Sequence, residues 1–399
     1  MDDYGLSGES IICFAGEDWW YHHPHSKNHI LKRLARSNRV LFINSLTMGL
    51  PGITNPDLLL KIRRKMKSYW RWLRRVPEGL YVMTPLSIPA YGTKPVQLLN
   101  RYLLAAQIRL AMKICGLSSP ILWVAIPSAA VVVEQLPAKL ILYQVSDKYD
   151  ANEDSAIDPD VIRGFDHRLK ELAGAVLYSG RKLYEEALAP NRFFLEQAVD
   201  FDHFAKEASH TNPAIAQIPR PVLGYFGAMD YVMDAALIEQ VARQRPDWSW
   251  VFIGLRSNFM AIKAPNIHFL GSKPYSELPE YIRHFDVCVL PWRLGNKFTS
   301  YGSAIKVREY LATGKPVVMA PLYEYHDFPG IRFYRTVDEF VAAVEHAIHC
   351  DSAQDREQRQ SAVRNATWDA RTRQVGDLIS SLLAQRSSAS DSSKRRSRS

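Results

Sequence analysis

Residues 303–318, SAIKVREYLATGKPVV, carry the types and spacing best suited to ligand chemistry. Gly302 and Ser303 end a loop, Ser303 is a good N-cap, and residues 304–313 have helical apolar spacing. Gly314 supplies a stop, and Lys315 and Pro316 lead into a strand. A helix N-terminus presents free amides and the positive end of a dipole, which suits a diphosphate. Glu309 lies six residues past the cap, where a carboxylate can accept two hydrogen bonds from a ribose diol. An acid that faces solvent or an arginine fits the same spacing, so spacing alone leaves both readings open.

Other candidates lie in the first half. Asp147 follows the apolar run 140–145, and strand ends are where a parallel sheet exposes catalytic groups. A turn or N-cap aspartate is the competing reading, and Asp150 is a second candidate base. Gly16 ends the first apolar run and opens a loop rich in aromatics and histidines, residues 17–25, where glycine allows close backbone approach to a ligand. His25 and His29 are candidate acceptor contacts. With His22 and His23 they lack a carboxylate or cysteine partner at metal-site spacing, so no metal is expected there. Two Asp-x-Asp strings, Asp158 to Asp160 and Asp200 to Asp202, read as structural turns.

Net charge is +9, but its distribution is uneven. Residues 61–75, KIRRKMKSYWRWLRR, hold eight cations and no acid; residues 386–399 have a net +4; the remainder is mildly acidic. Such local basicity argues against a chain built throughout to bind nucleic acid. In residues 61–75 the cations interleave with Met66, Tyr69, Trp70 and Trp72, which suits a helix lying on an anionic membrane surface. A solvated basic helix is the alternative. No apolar run approaches the roughly 18 residues needed to span a bilayer, and the acidic, polar N-terminus does not resemble a secretory signal. Four scattered cysteines suit a reducing compartment. Together these features predict a cytoplasmic protein, peripheral on the inner face of the plasma membrane.

These residues must be positioned by a scaffold, and the alternation of apolar runs with helical stretches predicts two doubly wound parallel sheets. Strands are expected at 10–15, 39–44, 80–84, 120–125, 139–145, 173–178 and 192–196, then at 222–226, 250–254, 267–270, 287–291, 316–319 and 331–334. Helices are expected at 28–36, 96–114, 235–244, 275–284, 304–313, 337–349 and 362–383. The expected layout is a first domain over 1–205, a proline-marked linker over 206–220 and a second domain over 221–360. A C-terminal helix over 361–385 and a disordered basic tail over 386–399 follow.

The string from Ser303 closely resembles the donor-site helix of family-4-type GT-B glycosyltransferases, matching at Ser303, Lys306, Glu309, Tyr310, Ala312 and Gly314 through Val318. Weaker likenesses extend over most of the chain: residues 28–44, YQVSDKY at 143–149, QAVDFDHF at 197–204, PVLGYFGA at 221–228 and TWDAR at 367–371. Within the family the chain resembles transferases of teichuronic-acid and exopolysaccharide pathways. The resemblance implies an α/β GT-B fold, two Rossmann-like domains facing a cleft, with the last helix crossing back to the first domain. It implies Glu309 as ribose ligand, backbone amides of Gly302, Ser303 and Ala304 near the phosphates, and Gly227 in the loop after the first donor-domain strand. It also implies retention of anomeric configuration, and no cofactor or metal besides the nucleotide-sugar donor.

Two departures stand out. Tyr301 replaces a glutamate common in the family, so any contact it makes to the donor sugar must differ. The loop 227–231, GAMDY, lacks the family's arginine and lysine, and Lys297 is the proposed compensating cation, with Arg293 nearby. The expected activity is sugar transfer from a nucleotide-diphosphate sugar to a lipid-linked or saccharide acceptor, with Asp147 as candidate base. A nucleotide-sugar epimerase and a catalytically silent scaffold of polysaccharide assembly are the alternatives.

Overall fold

The computed structural model describes residues 3–20, 23–46, 63, 66–88, 93–153, 155, 157–206 and 212–396. His22 and Lys61, Ile62, Arg64 and Lys65 of the basic segment lie outside these. The chain divides into two compact units: Met1–Glu196 with Asp369–Ser399, and Gln197–Trp368.

The first unit is built on an eight-stranded sheet. Its strands are β1 (Ser10–Phe14), β2 (Arg39–Ile43), β3 (Leu73–Arg75), β4 (Tyr81–Met83), β5 (Ile121–Val124), β6 (Leu140–Val145), β7 (Ala175–Tyr178) and β8 (Arg192–Phe194), ordered β3-β4-β2-β1-β5-β6-β7-β8. All neighbours are parallel except β3 and β4. The strands β1, β5 and β7 are buried throughout and almost wholly apolar, as expected where helices cover both faces of a parallel sheet. The helices here include α1 (Ser26–Leu34), α2 (Lys94–Cys115) and α3 (Pro159–Leu172). Asp158, expected in a turn, is the N-cap of α3 and accepts from Asp160 N at 2.7 Å, with Pro159 in the first turn.

The second unit has six parallel strands, β9 (Val222–Phe226), β10 (Ser249–Ile253), β11 (Ile267–Phe269), β12 (Val287–Leu290), β13 (Val317–Met319) and β14 (Ile331–Phe333), ordered β11-β10-β9-β12-β13-β14. Its helices include α4 (Ala235–Gln244), α5 (Ile305–Thr313), α6 (Val337–His349) and α7 (Ala353–Arg364). In both sheets the strand order reverses beside a central strand, between β1 and β5 and between β9 and β12. Ligands bind outside the carboxyl ends of the strands at such a reversal.

Two sequence expectations change. The single helix expected over 362–383 is two: α7, then α8 (Trp368–Arg396) after a break. The region from Arg386, expected as a disordered tail, continues α8 to Arg396, because no glycine or proline after Gly376 interrupts it. Helix α8 docks on the first unit. Asp369 pairs with Arg33 at 3.0 Å, Arg371 with Glu196, and Ser380 Oγ donates to Gly5 O at 2.6 Å. The closest approach is at Gly376, where an added Cβ would lie 1.8 Å from Tyr4 O.

A contrasting pair of substitutions tests this docking. Gly376→Ala should destabilise by about 1–3 kcal/mol, since backbone must move. Gly164→Ala in α3, where a Cβ meets open space, should stabilise by about 0.5–1 kcal/mol. Denaturant melts giving both variants the same sign of change would contradict the packing.

Candidate functional site

In the second unit the site forms where β9 and β12 part. The chain leaves β9 through Gly227, whose φ of +129° suits glycine, and a Cβ there would lie 2.3 Å from Lys306 Nζ. That ammonium, from the first turn of α5, donates to Tyr225 Oη at 2.8 Å and lies 4.4 Å from the centre of the same ring. Tyr225 in turn donates to Ala228 O at 2.8 Å, and the Trp292 ring lies 5.5 Å from the ammonium. A lysine is thus held against the backbone at the end of the central strand, where loop 227–231 itself has no cation.

Helix α5 begins one residue later than the sequence suggests. Ala304, in extended backbone, is the N-cap, so Ser303 does not cap and is instead buried. No side chain closes the first turn, and Ala304 O accepts from Tyr325 Oη at 2.7 Å. Gly314 ends the helix at φ +76°. The far side is fixed by a buried ion pair, Arg308 to Glu324 at 3.4 Å.

Glu309 lies one turn beyond Lys306 and is 5% exposed. Tyr275 Oη donates to its Oε1 at 3.1 Å, and His203 stacks on the Tyr275 ring at 5.1 Å. Burial pushes the carboxyl up to about 7, against the pull of the Tyr275 hydroxyl and the Lys306 ammonium; Asp200 adds to the rise. Thus Asp200, read as structural, bears electrostatically on the site. Lys297 and Arg293 are exposed; Lys297 starts the short helix Lys297–Ser300 and Arg293 reaches Tyr231 O at 3.3 Å. Tyr301 ends that helix, and Gly302 N donates to Thr299 O at 2.9 Å. The cation that the structure brings to the strand end is Lys306, not Lys297.

In the first unit a second cluster forms where β1 and β5 part. Gly16 is exposed with ordinary φ, and a Cβ there would meet Ala125 O only at 3.9 Å, so the fold itself does not require glycine. The next residue, Glu17, is buried and pairs with buried Lys27 of α1 at 3.2 Å. Burial alone would lower the Lys27 pKa, but the Glu17 carboxylate overrides it and the net shift is upward. Asp147, partly buried past the end of β6, is raised by burial; Lys27 opposes the rise and Glu17 reinforces it. Beneath them Gln144 donates to Ser26 Oγ at 3.1 Å and Ser179 Oγ at 3.0 Å. Asp150 instead faces Arg163 at 3.6 Å. His25 is exposed, and its N–H donates to Asn28 Oδ1 at 2.9 Å; His29 is buried within α1.

Sequence reasoning missed Glu17, Lys27, Tyr275, Tyr225 and Trp292. Glu17 and Tyr225 stand inside segments singled out in the sequence, but their partners come from other elements. Among the described residues no group of three or more histidines, cysteines or acids is placed to hold a metal.

Residues 220–349, which contain the whole Gly227–Lys306–Glu309 arrangement, match the family model for glycosyl transferases group 1. A relative from Bacillus subtilis (strain 168), TuaH, named as a teichuronic acid biosynthesis glycosyltransferase, is 24% identical over 282 residues, 64% of this chain and 70% of that protein. Residues 220–349 are thus of the glycosyl transferases group 1 type, and the chain has the GT-B fold. Similar solved structures include sucrose-phosphate synthase from Thermosynechococcus elongatus, with a TM-score of 0.69, 14% identity, and coverage of 94% of this chain and 100% of that one. Anabaena HepE in complex with UDP and glucose gives 0.63, 12%, 94% and 100%. The α,α-trehalose 6-phosphate synthase from Burkholderia multivorans gives 0.60, 13%, 97% and 98%. The resemblance carried by residues 303–318 is thereby borne out for family type and fold, and these relatives favour neither the epimerase nor the scaffold alternative.

The raised carboxyl of Glu309 makes the protein's stability depend on pH. Its folded pKa of about 7 exceeds the ordinary glutamate value of 4.5, so the stabilising contribution is full below 4.5 and is lost as pH rises through 7. Between pH 5 and 8 the wild type should therefore lose several degrees of Tm more than Glu309→Gln, at roughly 2–4 °C per kcal/mol. Parallel Tm profiles for the two proteins would contradict the burial of a titrating carboxyl.

Proposed function

We propose that the chain transfers a sugar from a nucleotide-diphosphate sugar to a lipid-linked or saccharide acceptor in cell-surface or exopolysaccharide assembly. One observation carries the reading: Glu309 is desolvated one helical turn from Lys306, whose ammonium sits at the carboxyl end of β9. The Glu309 carboxylate accepts both ribose hydroxyls, and donor binding favours the ionised form over the protonated one. The diphosphate lies at the open first turn of α5, on amides near Gly302, Ser303 and Ala304, with Lys306 as its cation. Lys297 meets the donor from the rim, and Tyr301 contacts the sugar in place of the missing glutamate. HepE's complex with UDP and glucose supports a UDP-type donor.

The first unit receives the acceptor around Gly16, His25 and His29. Asp147 takes the proton of the acceptor hydroxyl as its oxygen bonds to the anomeric carbon; the bond from that carbon to the β-phosphate oxygen breaks, and the nucleoside diphosphate leaves. Burial raises the Asp147 pKa, which makes it a stronger base, and Lys27 opposes the rise. Transfer proceeds with retention, the acceptor oxygen adding to the face of the oxocarbenium-like anomeric carbon that the departing diphosphate leaves, and without a metal or other cofactor. The basic segment 61–75 attracts the enzyme to the anionic inner face of the membrane, where a lipid-linked acceptor resides.

Nucleotide release from a panel of sugar donors, with and without acceptor lipid, tests this reading. Release should require acceptor, fall at least ~100-fold in Asp147→Asn with donor binding kept, and be lost with donor binding in Glu309→Ala. Acceptor-independent sugar conversion, or no release at all, would contradict it.

A further inference from the structure

Helix α2 has two apolar sides. One is buried in the first unit through Asn100, Leu104, Ile108, Ala111 and Met112. The other leaves Leu98, Leu99, Tyr102, Leu110 and Ile114 at least half exposed along a helix about 33 Å long. At about 100° per residue, Leu99, Leu110 and Ile114 fall on one flank, between Tyr102 and the edge formed by Asn100 and Gln107.

An extended segment is clamped to that edge. Gln107 accepts from Leu86 N and donates to Leu86 O, both at 2.9 Å. Asn100 does the same for Ile88, both at 2.8 Å. Two side-chain amides thus take the place of a neighbouring strand. The alternation they impose is inverted: Leu86 and Ile88 face water, while the Ser87 hydroxyl is buried without a hydrogen-bond partner. Burying an unpaired hydroxyl while exposing two aliphatic side chains is unfavourable in water. The segment leaves β4 beside Trp72, whose carbonyl accepts from Thr84 N at 2.9 Å, and Trp70 nearby is 83% exposed.

We infer that this face, Leu86, Ile88 and the outer side of α2, inserts into the surface of an anionic phospholipid bilayer. Charge selects this occupant. Helix α2 carries Lys94, Arg101, Arg109 and Lys113 and no acid, and residues 61–133 hold twelve lysines and arginines against one acid, Glu78. A second copy of the face would be repelled by its own charge. A nucleic acid would leave the leucines without a partner. On a bilayer the aliphatic side chains enter the acyl boundary, and the long cationic side chains reach the headgroups. The helix lies on the surface and does not cross it: its inner side is packed, and no helix among the described residues is long and apolar enough to span a membrane. This inference adds to the basic segment 61–75 a second, apolar component of binding, which salt does not screen.

Sedimentation of the full chain with vesicles of phosphatidylcholine, alone or with phosphatidylglycerol, tests it without donor or acceptor, so its failure leaves the transfer reading standing. The wild type should bind the anionic vesicles and keep part of that binding in high salt. The triple substitution Leu86→Ser, Leu99→Ser, Leu110→Ser should weaken high-salt binding at least ~10-fold, with Tm and nucleotide-induced stabilisation preserved as controls of folding. Wild-type affinity in the folded variant would overturn the inference. So would absence of wild-type binding, or a wild-type dimer that the variant dissociates with no change in vesicle binding.

Discussion

Folding removes the carboxyl of Glu309 from water and leaves it one helical turn from an ammonium at the end of a central strand. Desolvation of that acid raises its pKa, and Tyr275 and Lys306 only partly offset the rise. The rest of the second unit is arranged so that this pairing can exist. Gly227 clears the space that Lys306 occupies, Tyr225 holds the ammonium, and the buried Arg308–Glu324 pair anchors the opposite side of α5. The reversal of strand order between β9 and β12 supplies the opening beside which α5 begins, with its Lys306 against Gly227.

The first unit repeats the plan with different chemistry. Its central strand also ends at an exposed glycine beside a reversal, but the charged groups that follow are a buried Glu17–Lys27 pair and Asp147. Lys27 faces two acids, so the loss of either would alter the protonation of the other. In the proposed transfer, this coupling is what would tune Asp147, in a partly dry setting, as the group that takes the acceptor's proton.

The strands were legible because β-branched apolar runs bounded by turn residues have few other folds, and most observed ends lie within two residues of the expected ones. β3 was not, because Leu73–Arg75 is cationic and pairs antiparallel at a sheet edge, where charge is tolerated. The sequence reading places Asp158 in a turn and misses the helix that follows, although an aspartate followed by proline is a start signal. Glu309 stood out through its motif, whereas Tyr275 could not, since only the fold brings residues 34 apart together. Glu17 and Lys27 were obscured likewise. The apolar spacing of α2 pointed to one buried face and gave no sign that a second face remains in water.

In the proposed transfer, one carboxylate grips the sugar ring of a nucleotide. Calorimetric titration of the wild type and Glu309→Ala with a nucleoside diphosphate and its 2′,3′-dideoxy analogue measures that grip directly. The wild type should prefer the ribonucleotide by at least ~10-fold, and the variant should bind both alike. Equal preference for the ribonucleotide in both proteins would show that Glu309 does not hold the ring.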